Sequence, residues 1–234
     1  MIDYVDLSYY KLLPQHFGSS PKMLVSEITN DIELYACTDS YNATIEYATS
    51  KIYQILDIPH EPVFWGTDLR FYENSFVTVT KFDLNKNWVY YADTDVLENV
   101  KNPNDLDFGF LLSALFNGNI MKEDPAGYVI NNTFVKAFHF NAMFEIELAM
   151  FVSGQNKAAS LLCKKYESLF DVIDEEDKDV VERLEDHIKR FVAIKKSDWF
   201  HILKFPPNAK FEKCKYWSIK KITEAQRLLR KHYE

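Results

Sequence analysis

The chain contains no apolar run approaching the roughly 20 residues that a membrane-spanning helix needs. Its first residues, MIDYVDLSYY, also lack the positively charged stretch followed by an apolar core that marks a secretory leader. The pattern predicts a cytoplasmic protein that does not enter a membrane. Cysteine is scarce: Cys37, Cys163 and Cys214 are widely spaced and odd in number, which speaks for free thiols in a reducing compartment. No CxxC or HExxH spacing occurs, so a structural zinc site is not expected. The GxSxG elbow, the Walker loop and the dinucleotide fingerprint are missing too. There is no internal repeat and no low-complexity segment.

What remains is a chain of 234 residues, 47% hydrophobic and 15% aromatic, enough to bury a large core as one domain or two small lobes. Its net charge of -8 is unevenly placed. Residues 204–234 hold nine Lys or Arg against three Glu, a local balance of +6 that leaves -14 for the rest. One reading packs this basic segment on the acidic body of its own chain. The other is a nucleic-acid or acidic-partner contact through Lys210, Lys213, Lys215, Lys220, Lys221 and Arg230, with Phe211, Tyr216 and Trp217 for stacking.

The most organised stretch is NATIEYATSKIYQILDIP, residues 42–59. Ile45, Ala48, Ile52, Ile55 and Leu56 recur at helical spacing, which predicts a helix over 42–57 with one buried face. Pro59 and Pro62 stop it and favour an extended exit into Val63-Phe64-Trp65. Glu46 lies off the apolar stripe, where a carboxylate is solvated or reaches a neighbouring site. Before the helix, 23–28 and 32–37 read as a hairpin around Thr29-Asn30-Asp31. After it, 62–65 and 75–83 read as strands, with 69–72 as a further candidate. From about residue 105 the texture is helical: 110–116, 141–152, 156–169, 177–193, 197–203 and 218–232, broken by Pro206-Pro207. One hairpin is expected near 128–138, turning at Asn131-Asn132. The acidic run Asp174-Glu175-Glu176-Asp177 suits a helix N-terminus rather than a metal site. The expected class is α+β in two lobes, a β-rich N-lobe over 1–84 carrying one helix and a mostly helical C-lobe over 85–234.

Several segments, taken in order, resemble HipA-like serine/threonine kinases. Phe17-Gly18-Ser19-Ser20-Pro21-Lys22-Met23-Leu24-Val25 is similar to that family's phosphate loop and following strand. Glu46, thirteen residues before Pro59, matches the family's helix glutamate, and 52–59 matches its helix end. Val79-Thr80-Lys81-Phe82-Asp83 is similar to the hinge strand, Phe116-Asn117-Gly118-Asn119-Ile120 to the catalytic loop, and 135–144 to the strand that carries the metal-binding aspartate. The resemblance spans residues 17 to about 145 and implies a protein-kinase-like fold. It implies a nucleotide cleft lined by Gly18, Ser19, Ser20, Lys22, Glu46, Thr80, Lys81 and Asn119.

The charged groups of the family are largely missing at the matching positions. The strand lysine that contacts phosphates and pairs with the helix glutamate has no counterpart in Leu34-Tyr35-Ala36-Cys37-Thr38-Asp39, where Cys37 takes its place. Asn117 is followed directly by Gly118-Asn119, without the aspartate base, and His139 stands where the metal carboxylate belongs. A neutral histidine is a poor magnesium ligand and reads as a hydrogen-bonded core residue. Phosphoryl transfer depends on positioning and charge neutralisation by these groups. The expectation is therefore a degenerate kinase fold, a pseudokinase, with no catalytic residue and no cofactor, that acts by binding another protein or a small ligand in the interlobe cleft. An alternative is an active, divergent kinase using ATP and magnesium, with Lys22 on the phosphates, Glu123 or Asp124 as the acid and Asn119 on the metal. Asp107-Phe108-Gly109 spells a kinase tripeptide but precedes the catalytic-loop segment, so it is expected at a helix start without a catalytic role.

Overall fold

The computed structural model describes residues 4–17, 22–27, 34–38, 40–67, 76–82, 88–90, 99–106, 108–109, 112, 125–136, 152–153, 182 and 184–233. Seven strands come from the first 90 residues: β1 (Tyr4–Asp6), β2 (Tyr10–Phe17), β3 (Lys22–Glu27), β4 (Leu34–Thr38), β5 (Phe64–Thr67), β6 (Phe76–Phe82) and β7 (Trp88–Tyr90). The first six form one sheet in the order β1-β5-β6-β4-β3-β2, antiparallel throughout except for the parallel β1–β5 pair. A second sheet joins β7 to the hairpin β8 (Pro125–Ile130) and β9 (Thr133–Lys136). That hairpin turns at Asn131 and Asn132, whose φ values of 52° and 62° are the left-handed geometry asparagine tolerates. β1, β2 and β7 carry no strand expectation from the sequence.

Helix α1 (Ser40–Leu56) connects β4 to β5 and lies inside the molecule. Every residue from Ala43 to Ser50 is buried, so these two turns are enclosed on all sides, whereas Gln54 and Ile55 in the last turn are exposed, Ile55 against the expectation of a buried face. Its end explains the sharp stop. Asp57 adopts φ 58°, Ile58 N–H donates to the Tyr53 carbonyl at 3.0 Å and Asp57 N–H to that of Gln54 at 3.3 Å, the paired closure of a Schellman motif. Arg190 then donates to the Leu56 carbonyl, satisfying a group the helix leaves open.

Three helices close the chain: α2 (Glu185–Ala193), α3 (Lys196–Ile202) and α4 (Ala209–Tyr233). α4 begins nine residues earlier than the apolar spacing suggested, because Asn208 caps it: its Oδ1 accepts from Phe211 N–H at 2.9 Å. The inward face of α4 carries Phe211, Cys214, Trp217, Ile222, Ala225 and Leu229 at intervals of three to five residues, with the buried Ser218 inside the longest step. These pack with Ile45, Ile52 and Leu56 of α1, Trp65 of β5, and Leu184, Ile188 and Phe191 beside or on α2. One core therefore draws on both ends of the chain.

The other face of the large sheet has a smaller cluster of Leu7, Val77 and Val79. Gly66 permits it, since a Cβ there would lie 2.5 Å from Val79 Cγ2 and 3.2 Å from Leu7 Cδ1. Phe108 and Gly109 are helical and buried, and Gly109 accepts from the Tyr53 hydroxyl at 3.1 Å. The tripeptide's described part is thus core, and the helical residues 103–106 before it place it after a helical turn rather than at the expected helix start. Asp107 lies outside the described residues.

Candidate functional site

The contact between α1 and the sheet supplies the site's one described carboxylate. Glu46 is 1% exposed, and its Oε2 accepts a hydrogen bond from the Thr78 hydroxyl of β6 at 2.9 Å. Of the two outcomes the sequence left open for this carboxylate, solvation or contact with a neighbouring site, the structure has the second: Glu46 is buried and reaches the neighbouring strand. Thr78 had no assigned role. Its signal is the alternation in SFVTVTKFD, where Val77 and Val79 face the Leu7 cluster and Thr78 therefore faces α1.

Sheet register decides which strand positions accompany this contact. Thr78 pairs with Thr38 of β4, and Thr38 with Lys22 of β3, so Lys22, Thr38 and Thr78 form one row across three strands. Cys37 stands in the adjacent row, between Met23 and Val79. The β4 position in register with the Glu46 contact is therefore Thr38 rather than Cys37. Thr80 pairs with Ala36 and Lys81 with Tyr35, the former half-buried and the latter exposed. Gly18, Ser19, Ser20, Asn117, Asn119, Glu123, Asp124 and His139 lie outside the described residues.

A second polar cluster, which sequence reasoning missed, joins α2 to the segment before Asp107. Asn102 clamps the β8–β9 hairpin: its Oδ1 accepts from Phe134 N–H at 2.8 Å, and its Nδ2 donates to the Phe134 carbonyl at 3.0 Å. The same Nδ2 donates to Asp105, and Asp105 Oδ1 lies 2.8 Å from His187 Nε2. Burial works to raise the Asp105 carboxyl. Hydrogen bonds from His187 and Asn102 and the charges of His187 and Arg190 outweigh it and hold the group below its ordinary value. These partners lie far apart in sequence, at 102–105, 134 and 187, and no short-range pattern announces them. Their geometry is that of a structural junction.

Among the described residues no group of three or more His, Cys, Asp or Glu is placed to hold a metal ion, and no helix is long and apolar enough to cross a membrane. The basic C-terminal segment is mostly folded into α4. Phe211 and Trp217 are buried in the core and are unavailable for stacking on bases, while Tyr216 is 57% exposed. Lys221 is buried as well, and Lys215 donates to the Phe200 carbonyl at 2.7 Å.

No protein-family model and no curated protein sequence matches the chain. Its structure is similar to that of a Helicobacter pylori proinflammatory kinase, CtkA, with a TM-score of 0.58 and 14% identity over 96% of this chain and 95% of that one. At that identity the likeness concerns the fold, and with the β-rich first part, the enclosed helix and the helical end it makes this an α+β chain with a two-lobed protein-kinase-like fold.

Proposed function

We propose that this chain is a catalytically degenerate, HipA-like kinase-fold protein, a pseudokinase that works in the cytoplasm by binding another protein. The observation that carries the reading is the engagement of Glu46. In a kinase-like fold the helix glutamate holds a strand lysine on the nucleotide phosphates. Here β4 has no lysine, and the glutamate is buried against the Thr78 hydroxyl. A magnesium nucleotide needs a cation on the phosphates and oxygen ligands on the metal, and β4, where the resemblance places that lysine, supplies none. General-base help alone is worth roughly 10²- to 10⁴-fold in rate, so losing it together with the phosphate cation leaves negligible turnover. The kinase-like fold of the structural neighbour supports the scaffold. Calorimetric titration of the full chain with magnesium-ATP tests the reading: no saturable heat is expected, and micromolar binding would overturn it.

A second reading, an active divergent kinase, is favoured by one observation. Lys22 stands in the same register row as Thr38 and Thr78, two strands from the Glu46 contact. If Lys22 supplies the phosphate cation, Lys22→Ala abolishes a measurable phosphotransfer activity. The nucleic-acid or acidic-partner reading keeps the exposed cations of α4 but loses two of its three stacking rings to the core.

A further inference from the structure

The exposed side of α4 is basic on a chain that is acidic overall. Its 25 residues hold eight Lys or Arg against Glu212 and Glu224, a balance of +6 where the whole chain carries -8. Lys213, Tyr216, Lys220, Arg227 and Lys231 recur at steps of three, four and seven residues, which sets them on one side of the helix, and all five are exposed. At 1.5 Å per residue the row is about 27 Å long.

Its first half is held in place by contacts with α3. Tyr216, 57% exposed, meets the half-buried Phe200 ring edge-on, with centroids 5.5 Å apart. Lys215 Nζ donates to the Phe200 carbonyl at 2.7 Å and lies 5.9 Å from the centroid of the same ring. That carbonyl belongs to the last turn of α3, among those a helix end leaves without an intrahelical donor, so the ammonium has a fixed seat. Lys213 Nζ donates to the Val152 carbonyl at 3.1 Å. Both contacts seat a cation on a neutral group. Among the described residues neither lysine has a carboxylate within 4.0 Å, although Glu212, one turn back, opposes the lowering that burial imposes on the Lys215 ammonium. Lys220 and Lys221 share one carboxylate, each Nζ lying 3.9 Å from an oxygen of Glu224.

Like charges gathered along one helix face repel one another until acidic groups join them. An exposed tyrosine among them is the residue type on which protein interfaces concentrate binding energy. A nucleic-acid strand fits less well. Single-strand platforms stack successive bases on successive rings, whereas Phe211 and Trp217 are buried here and only the Tyr216–Phe200 pair is left at this face. We propose that this face docks an acidic segment of a partner protein, with its carboxylates on Lys213, Lys215 and Lys220 and one apolar side chain against the Tyr216 and Phe200 rings. The proposal rests on the pseudokinase reading only in that the chain binds a protein; it needs neither the Glu46 contact nor an inert cleft.

The probe is a fluorescein-labelled peptide of Asp and Glu residues around one central phenylalanine, titrated with the full chain at fixed ionic strength and followed by anisotropy. Saturable binding is expected. It should weaken about tenfold in Tyr216→Ser and in the double variant Lys213→Gln, Lys220→Gln, with far-ultraviolet circular dichroism unchanged. The double variant Lys11→Gln, Lys101→Gln makes the same charge change at two exposed lysines off α4 and should bind as the parent does. A peptide with serine in place of its phenylalanine should bind more weakly and lose its sensitivity to Tyr216→Ser, which supports the seat on the rings. Non-saturating signals, or equal affinity in the parent, Tyr216→Ser and the α4 double variant, overturn the proposal. Tighter binding of an oligothymidylate through the same residues overturns it in favour of nucleic acid, and sedimentation as a dimer that Lys220→Glu abolishes overturns it in favour of a second copy of the chain. Magnesium-ATP titration tests the inert cleft separately, so a failure of either proposal leaves the other standing.

Discussion

Replacing Thr78 with valine removes one hydroxyl from a fully enclosed contact and leaves the volume almost unchanged. Glu46 and Thr78 are each 1% exposed, so water cannot take the place of the lost donor. A buried hydrogen bond to a carboxylate contributes about 1.5 to 3 kcal/mol, and the loss falls at the high end when its acceptor stays buried. For a chain of this size each kcal/mol lowers Tm by roughly 2 to 4 °C, so Thr78→Val should melt roughly 3 to 12 °C below the parent. Thermal melting reads the Tm and urea unfolding the free energy, both by tryptophan fluorescence with Trp65 and Trp199 as buried reporters. Glu46→Leu and the double variant complete a cycle. If the two groups bond as described, the double variant loses less than the sum of the singles, by about 1 to 3 kcal/mol, since removing both partners leaves neither end of this bond unsatisfied. A Thr78→Val loss below about 0.5 kcal/mol, or additivity within that margin, would refute the engagement of Glu46 by the sheet.

Three further outcomes follow from the packing. Gly66→Ala forces a methyl 2.5 Å from Val79 Cγ2 and should cost about 1 to 3 kcal/mol in urea unfolding, a loss that Gly66→Ala combined with Val79→Ala partly recovers. Gln226 is 2% exposed and donates to the carbonyls of Phe191 at 2.7 Å and Ile194 at 3.0 Å, so Gln226→Leu should leave the end of α2 unsatisfied and cost about 1 to 3 kcal/mol by the same assay. The folded Asp105 carboxyl is depressed, so its stabilisation is complete above its unfolded value of about 3.9 and is lost as pH falls through the lower folded value. The stability gap between the parent and Asp105→Asn should therefore be constant from pH 7 to about 5 and close on further acidification; a gap that widens in acid would contradict it.

Local patterns in the sequence foretold most elements whose residues interact with near neighbours. The 42–57 helix, its stop before Pro59, the 23–37 hairpin and the strand at 75–83 all appear within a few residues of their expected bounds. The β1 and β2 strands were not legible, because YVDLSYYKLLPQHF mixes aromatic and polar residues without alternation and contains a proline. What one face of a helix touches is also not a local property. The enclosure of α1 draws on α4, more than 150 residues later, which packs into the same core. The basic tail shows the same limit. Its charge is plain in composition, but only the three- and four-residue recurrence of Phe211, Cys214 and Trp217, and again of Ile222, Ala225 and Leu229, marks it as part of the core. Truncation at about Phe205 would remove that face, so a test of nucleic-acid binding needs charge replacements on α4 instead.

The inert-cleft reading is tested most directly by incubating the full chain with magnesium and γ-phosphate-labelled ATP, alone and with a generic protein substrate, and measuring label transferred to protein. The account predicts no incorporation above that of a heat-denatured control. Magnesium-dependent incorporation that disappears in Lys22→Ala would contradict it and establish the chain as a working kinase.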